Sequence, residues 1–298
     1  MMKLSIVTPS YNQGQFIERT IRSVIDQGIE GLEYLVMDGG SKDETISILK
    51  KYDGCLRWVS ERDDGQADAV NKAIRQTSGE IIGWINSDDI YYPGAFQKVM
   101  DFFASHPEAM VLYGQADHID IHDKIIEPYY TEEWDYQNLL DVCFICQPAV
   151  FFRRQIVDEI GLLNPHLQYC MDYEYWIRIG RRYPMHYLKA NLAGSRLYAD
   201  TKTLGSRVKV HREIISMVYH ETRKVPSRWI FNLGHVVAEE KGLTRTNGEE
   251  NFQFVLEVCK TAIRAHMQLQ GRVPFNDLRA MLGWVKHAFT QRRKEMTS

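Results

Sequence analysis

At 298 residues and 44% hydrophobic composition, the chain is long enough to bury one large domain with an appendage, or two ordinary domains. A formal net charge of -3, with no long basic stripe to set against it, gives no electrostatic case for nucleic acid as the partner. Its 5 cysteines, Cys55, Cys143, Cys146, Cys170 and Cys259, stand at irregular positions that suggest no disulfide framework and fit a reducing compartment.

The first apolar run turns polar at Ser10-Tyr11-Asn12-Gln13, short of a signal peptide's apolar segment. No window reaches roughly eighteen consecutive apolar residues, the length a membrane span needs. A cytoplasmic location is the expectation.

Leu4-Ser5-Ile6-Val7 reads as a first strand, stopped by the turn chemistry of Thr8-Pro9-Ser10-Tyr11-Asn12. Ile17, Ile21, Val24 and Ile25 then follow helical spacing. Leu35-Val36-Met37 predicts a second strand ending at Asp38-Gly39-Gly40, and Ser41-Lys42-Asp43-Glu44 has the spacing of a capping box that would open the next helix. Arg57-Trp58-Val59 is a short third strand, and Glu61 to Gln66 leads into a helix with Ala67, Val70, Ala73 and Ile74 on one face. Strands alternating with helices predict an α/β fold with a mostly parallel, twisted sheet covered on both faces.

The stretch Ile81-Ile82-Gly83-Trp84-Ile85 predicts a buried fourth strand, which ends abruptly in Asn86-Ser87-Asp88-Asp89. Two adjacent carboxylates repel unless a cation, a sugar hydroxyl or a donor-rich loop shares them, and hard oxygen ligands suit Mg2+ or Mn2+ carrying a diphosphate. The alternative is a solvated Asp-Asp turn before Pro93. Each polar loop lies at the carboxyl end of its strand, so Tyr11, Asp38, Asp64 and Asp88-Asp89 can converge on one crevice.

Beyond Pro93 a helix carries Phe96, Val99, Met100 and Phe103, and Met110 to Tyr113 reads as a strand. The stretch from Asp117 to Trp134 takes no assignment. Ala149 to Phe152 is strand-like, a short helix closes at Gly161, and Cys170 to Trp176 sets aromatics around Asp172 and Glu174. From about Thr201 the pattern is helical: Val208, Ile215 and Val218 suggest one helix, Phe254 to Met267 another, and Leu278, Met281, Leu282, Val285 and Phe289 a last one.

These motifs, in this order, identify the chain as similar to the family 2 glycosyltransferases with the GT-A fold. The resemblance covers roughly Met2 to Thr203 and rests on Val7-Thr8-Pro9-Ser10-Tyr11-Asn12, Asp38-Gly39-Gly40-Ser41, Asp64-Gly65-Gln66 with Asn71, Asn86-Ser87-Asp88-Asp89, and Met171-Asp172-Tyr173-Glu174-Tyr175-Trp176. It implies a catalytic GT-A domain over residues 1–203 and a helical C-terminal region over 204–298 that serves packing, oligomerisation or membrane-surface contact.

The resemblance further implies that Thr8, Pro9 and Tyr11 hold the base and ribose of a nucleoside diphosphate sugar, with Asp38, Asp64 and Gln66 adding contacts. Asp88 would lie near the ribose or donor sugar, Asp89 would ligate Mn2+ or Mg2+ on the diphosphate, and Asp172 would be the general base. Trp176 and Glu174 are candidates for acceptor contact; their alternatives are a core aromatic and a partner for Arg178. Asp38 has turn capping as its alternative.

Three departures stand out from the family pattern. Gly39 occupies a position where relatives commonly carry a second acid that reads a uracil ring, which leaves the nucleotide open. Met171 stands where relatives often have Glu. In the stretch Arg196-Leu197-Tyr198-Ala199-Asp200, Tyr198 replaces a metal-binding His.

Other features read as structural. Cys143 and Cys146 form a CxxC without a second pair at zinc spacing, so they are expected to be buried thiols. His118, His122, His186 and His211 show no ligand spacing. The last helix carries Lys286, His287, Arg292, Arg293 and Lys294 beside its apolar stripe with Trp284, and is expected to pack on the catalytic domain or a second subunit; docking on an anionic membrane is the alternative.

The function so implied is inverting transfer of a single sugar to a hydroxyl of a glycan or lipid-linked acceptor, in cell-envelope or capsular polysaccharide assembly. A peripheral site at the inner membrane face goes with a lipid-linked acceptor. The rival readings are a nucleotidyltransferase, opposed by the absence of a Gly-rich phosphate loop after the first strand, and a sugar-nucleotide-binding scaffold without turnover.

Overall fold

The computed structural model describes residues 2–198 and 205–295. The chain forms two compact units, residues 2–139 with 143–198, and residues 140–142 with 205–295. The predicted boundary at residue 203, together with Ala199 and Asp200, lies outside the described residues.

The first unit opens with β1 (Leu4–Ser10), α1 (Ile17–Ile25), β2 (Glu33–Asp38), α2 (Thr45–Lys51), β3 (Arg57–Ser60), α3 (Gln66–Arg75) and β4 (Ile81–Trp84). Every residue of β1 and β4 is buried, as expected of strands covered on both faces. Ile17, Ile21 and Val24 bury one stripe of α1 against this sheet. Strands β3, β2, β1 and β4 are neighbours in that order and run parallel, the predicted arrangement.

Next come β5 (Ile90–Tyr91), α4 (Ala95–Ser105), β6 (Val111–Ile119), β7 (Ile125–Pro128), α5 (Tyr136–Asp141), β8 (Val150–Arg153), α6 (Gln155–Ile160), α7 (Met171–Gly180) and β9 (His186–Arg196). The nine-stranded sheet continues from β4 through β8, β6, β9 and β5, with β7 on β6. Here directions mix: β8 is antiparallel to β4 and β6, β6 and β9 are parallel, and β5 is antiparallel to β9. The unassigned stretch after Asp117 is the β6–β7 hairpin. Strand β9 was absent from the sequence-based expectation because most of its first half is partly exposed, which blurs the alternation.

Position 41 corrects a local expectation. Ser41 spends its hydroxyl on Asp38 and its Oγ on the Asn12 backbone N–H at 2.6 Å, so no capping box forms. The start of α2 is held instead by Asp43, whose carboxylate accepts from the N–H groups of Thr45 at 3.0 Å and Gly14 at 2.8 Å.

The second unit contains α8 (Arg207–Thr222), α9 (Ser227–Glu240), α10 (Gly248–Gln270) and α11 (Phe275–Glu295). Helix α9 was not expected. On α11 the packed residues are Asp277, Met281 and Ala288, whereas Leu278, Leu282 and Phe289 of the expected stripe are exposed. The packing face is set by polar and small residues: Asp277 accepts from Ser227 at 2.7 Å and lies 3.0 Å from His266, and Gly248 lets α10 approach the α11 backbone at Arg292 so closely that a Cβ would sit 2.8 Å from it.

Candidate active site

The carboxyl ends of β1, β2 and β3 are joined by hydrogen bonds through one buried acid. Asp38 accepts from the N–H groups of Gly40 at 3.0 Å and Ser41 at 2.9 Å, from the Ser60 hydroxyl at 2.6 Å, and from the Ser41 hydroxyl. It is 1% exposed, and so many donors satisfy a buried carboxylate. Asp38 therefore orders this edge from within, the turn-organising alternative of its sequence reading. Asn12, at positive φ, ties the first loop to the second: its Oδ1 accepts from Lys42 N–H at 2.9 Å.

The residues expected to hold the base divide by exposure. Thr8 is buried and its hydroxyl pairs with the Tyr34 hydroxyl at 3.2 Å; Pro9 is buried beside it in β1. Their side chains are packed within the sheet. Tyr11 is 59% exposed and does face outward. Asp64 is exposed at the β3–α3 loop, and Gln66 donates to Asn86 Oδ1 at 2.7 Å, linking that loop to the end of β4. Asn71 pairs both amide atoms with Leu163 backbone at 2.9 and 3.0 Å, pinning α3 to the loop between α6 and α7.

At the end of β4 the two adjacent acids separate into different environments. Asp89 is buried; its Oδ1 accepts from the Arg196 backbone N–H at 2.8 Å, its Oδ2 from Asn86 at 3.3 Å, and its carbonyl from the Thr20 hydroxyl at 2.7 Å. Burial, followed by the Asp88 charge, pushes the Asp89 carboxyl well above its ordinary range. Asp88 is partly exposed, and its Oδ2 accepts from the Tyr198 hydroxyl at 3.0 Å. Burial and the same Asp88 carboxylate raise the Tyr198 hydroxyl to about 12, and its ring stands 5.0 Å from Phe16.

Arg196 is the residue whose role sequence reasoning missed. Its guanidinium is buried 4.8 Å over the Phe16 ring, donates to the Asp88 carbonyl at 2.6 Å, and pairs with Asp123. It reaches β4 because β5 pairs with β9, Ile90 opposite Gly194. The apolar and aromatic pattern of β9 carried no signal for this.

Asp172 opens α7, where backbone N–H groups of its own first turn favour a negative charge. Burial outweighs them and raises its carboxyl. Cys146 is buried, and burial, then the charges of Asp89, Cys143 and Asp172, push its thiol well up. Both CxxC cysteines are free thiols, Cys146 buried and Cys143 partly so.

The remaining α7 candidates face inward. Trp176 is 1% exposed and belongs to the core, with Tyr175 at 5.8 Å. Glu174 is buried and makes a two-pronged ion pair with Arg178 at 2.7 and 3.0 Å, while Arg178 also donates to the carbonyls of Ile160 and Leu162. Neither side chain is available to an acceptor; the i,i+4 spacing favours the internal pair.

Comparison with known proteins agrees with this architecture. The profile described as glycosyl transferase family 2 matches residues 5–161, more than half of the chain. An uncharacterised glycosyltransferase of Rickettsia conorii is 26% identical over 231 residues, 72% of this chain and 37% of the relative. Chondroitin synthase of Escherichia coli is 24% identical over 222 residues, 74% of this chain and 32% of that enzyme. The chain thus spans about a third of the length of these two relatives. Among solved structures, S. aureus TarS 1-349 in complex with UDP-GlcNAc superposes with a TM-score of 0.62 at 16% identity, covering 99% of this chain and 92% of that 1-349 chain, and this chain shares the GT-A fold. With more than half its length under the family profile and its sheet-edge motifs assembled as described, the chain belongs to glycosyl transferase family 2.

Proposed function

We propose that this chain catalyses inverting transfer of a single sugar from a nucleoside diphosphate sugar to a hydroxyl of a glycan or lipid-linked acceptor, in the assembly of an envelope or capsular polysaccharide. The observation that supports the reading is the convergence of Tyr11, Asp64 and Asp88 at the carboxyl edge of β1, β3 and β4, with Asp172 at the start of α7. A carboxylate raised by burial is suited to take the acceptor's proton as its oxygen attacks the anomeric carbon. The other α7 acid, Glu174, is spent on Arg178, which leaves Asp172 as the base of α7 and supports inversion. The names of the relatives support a glycosyltransferase, and chondroitin synthase supports a polysaccharide product.

The leaving diphosphate needs positive charge. Among the described residues no three His, Cys, Asp or Glu side chains converge as a cation cage. The site fits Mn2+ or Mg2+ held by one carboxylate together with substrate phosphates and water. We assign that carboxylate to Asp88 in place of Asp89, because Asp88 is partly exposed whereas both Asp89 oxygens are engaged within the fold. Such a cation would stabilise negative charge on the departing diphosphate. The chain's own part is to aim Asp88, through Tyr198 and Arg196, and to order the donor edge through Asp38. No described helix is long and apolar enough to cross a membrane; a lipid-linked acceptor would be met peripherally, at the inner membrane face.

The test is a thermal-shift panel of UDP, GDP, dTDP and CDP with and without Mn2+ or Mg2+, followed by transfer assays on Asp172→Asn. A cation-dependent rise with nucleotide, retained in Asp172→Asn while transfer collapses, is expected. Affinity without any turnover in the wild type would make the chain a sugar-nucleotide scaffold.

A further inference from the structure

On α11 the apolar residues Phe275, Leu278, Leu282, Val285 and Phe289 recur at alternating steps of three and four, which lines them up as one stripe along about 21 Å of helix. Four of them are exposed, Phe275 at 76% and Leu282 at 63%. Leu256, Ile263 and Met267 of α10 are exposed as well, and the rings of Phe252 and Phe289, 5.9 Å apart, join the two helices beside these rows. Helix α9 covers the other side, with Phe231 on Trp284 at 4.7 Å and Gly234 against Val258. Two positions turn a helical side chain by about 200°, so Leu282 and Leu256 point away from α9 when Trp284 and Val258 point towards it. Helices α10 and α11 thus share one outward apolar face.

The charge around this face has one sign. Arg279, Lys286 and Arg293 are exposed and recur every seven residues along one border of the α11 stripe. At the start of the stripe Phe275 lines a cleft of about 790 Å3 together with Tyr219, Arg223, Lys224 and Arg272, and no acid is among its described lining residues. The acids of the two helices are engaged within the unit: Glu249 with Arg292, Glu257 with Lys241, Glu250 with Thr244 and Thr246, Asp277 with Ser227 and His266, and Glu295 with the Gly248 N–H. Among the described residues no carboxylate pairs with Arg223, Lys224, Arg272, Arg279 or Lys286. An apolar surface of this extent, bordered by cations that the fold leaves unmatched, is a surface for an anionic partner with an apolar layer.

We infer that this face of α10 and α11 docks on the surface of a bilayer containing anionic lipid, with the apolar rows at the headgroup boundary and Arg223, Lys224, Arg272 and the α11 cations on lipid phosphates. A second copy of the chain fits the face poorly. Antiparallel pairing of two α11 stripes would set the basic row against itself, and parallel pairing would set it against the positions of Met281 and Ala288, which are buried within the unit. An anionic bilayer offers negative charge and an apolar layer together. The inference concerns this unit alone and holds whether or not the chain transfers a sugar; on the proposed function it would be the contact that brings the chain to a lipid-linked acceptor.

The experiment sediments the full chain with vesicles of phosphatidylglycerol and phosphatidylcholine in equal parts, and with vesicles of phosphatidylcholine alone. Both are repeated with Leu282→Ser/Phe289→Ser and with Arg279→Gln/Lys286→Gln, each checked by thermal melt. The wild type should bind the anionic vesicles about tenfold or more tightly than the neutral ones, and that binding should weaken at about 0.5 M salt. Each double variant should bind the anionic vesicles about fivefold or more weakly than the wild type, with its melt and its nucleotide-dependent thermal shift unchanged. A wild type that stays in solution with anionic vesicles, or binds both kinds alike, overturns the inference, and this comparison decides even where a variant melts low. Folded variants that bind as the wild type does also overturn it. So does a wild-type dimer in sedimentation velocity that Leu282→Ser/Phe289→Ser converts to monomer, which would make a second copy the occupant. Vesicle binding without any nucleotide shift would sustain this inference and remove the donor reading; a nucleotide shift without vesicle binding would do the reverse.

Discussion

The Tyr198 hydroxyl donates to Asp88 Oδ2 at 3.0 Å, so an aromatic from the segment after β9 holds the carboxylate proposed to carry the cation. On the proposed function the cation would have this one protein carboxylate. Tyr198→Phe should lower stability by about 1 kcal/mol, the net value of one hydrogen bond, in urea unfolding. Tyr198→His should strengthen Mn2+-dependent nucleotide binding; an unchanged Mn2+ titration would show that the position does not reach the cation.

Asp88 and Asp89 should separate cleanly on mutation. Asp88→Asn is expected to keep its Tm without ligand and to lose the Mn2+-dependent part of the nucleotide shift. Asp89→Ala should destabilise by about 2–3 kcal/mol, because the buried Arg196 N–H and Asn86 amide lose their charged acceptor. If Asp89→Ala melts like the wild type and loses only cation dependence, the two roles are reversed.

Asp172 links stability to pH with a definite sign. Its carboxyl is raised in the fold, so the native state keeps a proton to higher pH than the unfolded chain does. Stability from this group is present at low pH and falls as pH rises from the ordinary carboxylate range, about 4, through the raised native value. Asp172→Asn should therefore melt higher than the wild type near pH 7.5, and the gap should close towards pH 4. A gap that widens on acidification would contradict the burial that sets the shift.

Glu174→Gln tests whether α7 presents an acceptor contact or an internal strut. Breaking a buried pair leaves the other charge uncompensated, so a loss of about 3 kcal/mol is expected in chemical denaturation. Acceptor KM, measured well below the melting temperature, should stay at the wild-type value. A raised KM with unaltered stability would return Glu174 to the site.

Asp38→Asn should loosen the edge formed by the carboxyl ends of β2 and β3. An amide cannot accept from all the groups that point at Asp38, and a loss of about 2 kcal/mol is expected. Hydrogen exchange at the Gly40 and Ser41 amides should accelerate more than exchange within β1.

The parallel half of the sheet was legible because its strands are short apolar runs closed by polar turns, and both periodicity and turn chemistry are local. Loop convergence followed from topology: right-handed crossovers put Tyr11, Asp38, Asp64 and Asp88 at one edge whatever their distance in sequence. The sequence by itself thereby determined the α/β class, the family likeness and the residues that crowd the edge. Only the tertiary structure decided what each acid is for. Asp38 and Asp89 are alike in sequence to Asp63 and Asp88, and they differ in the donors that folding brings to them: Ser60 from β3 and Arg196 from β9. Trp176 and Glu174 turned inward for the same reason, since the face of α7 that is buried depends on what packs over it. A carboxylate's role is set by its solvation and its donors, and those come from strands distant in the chain.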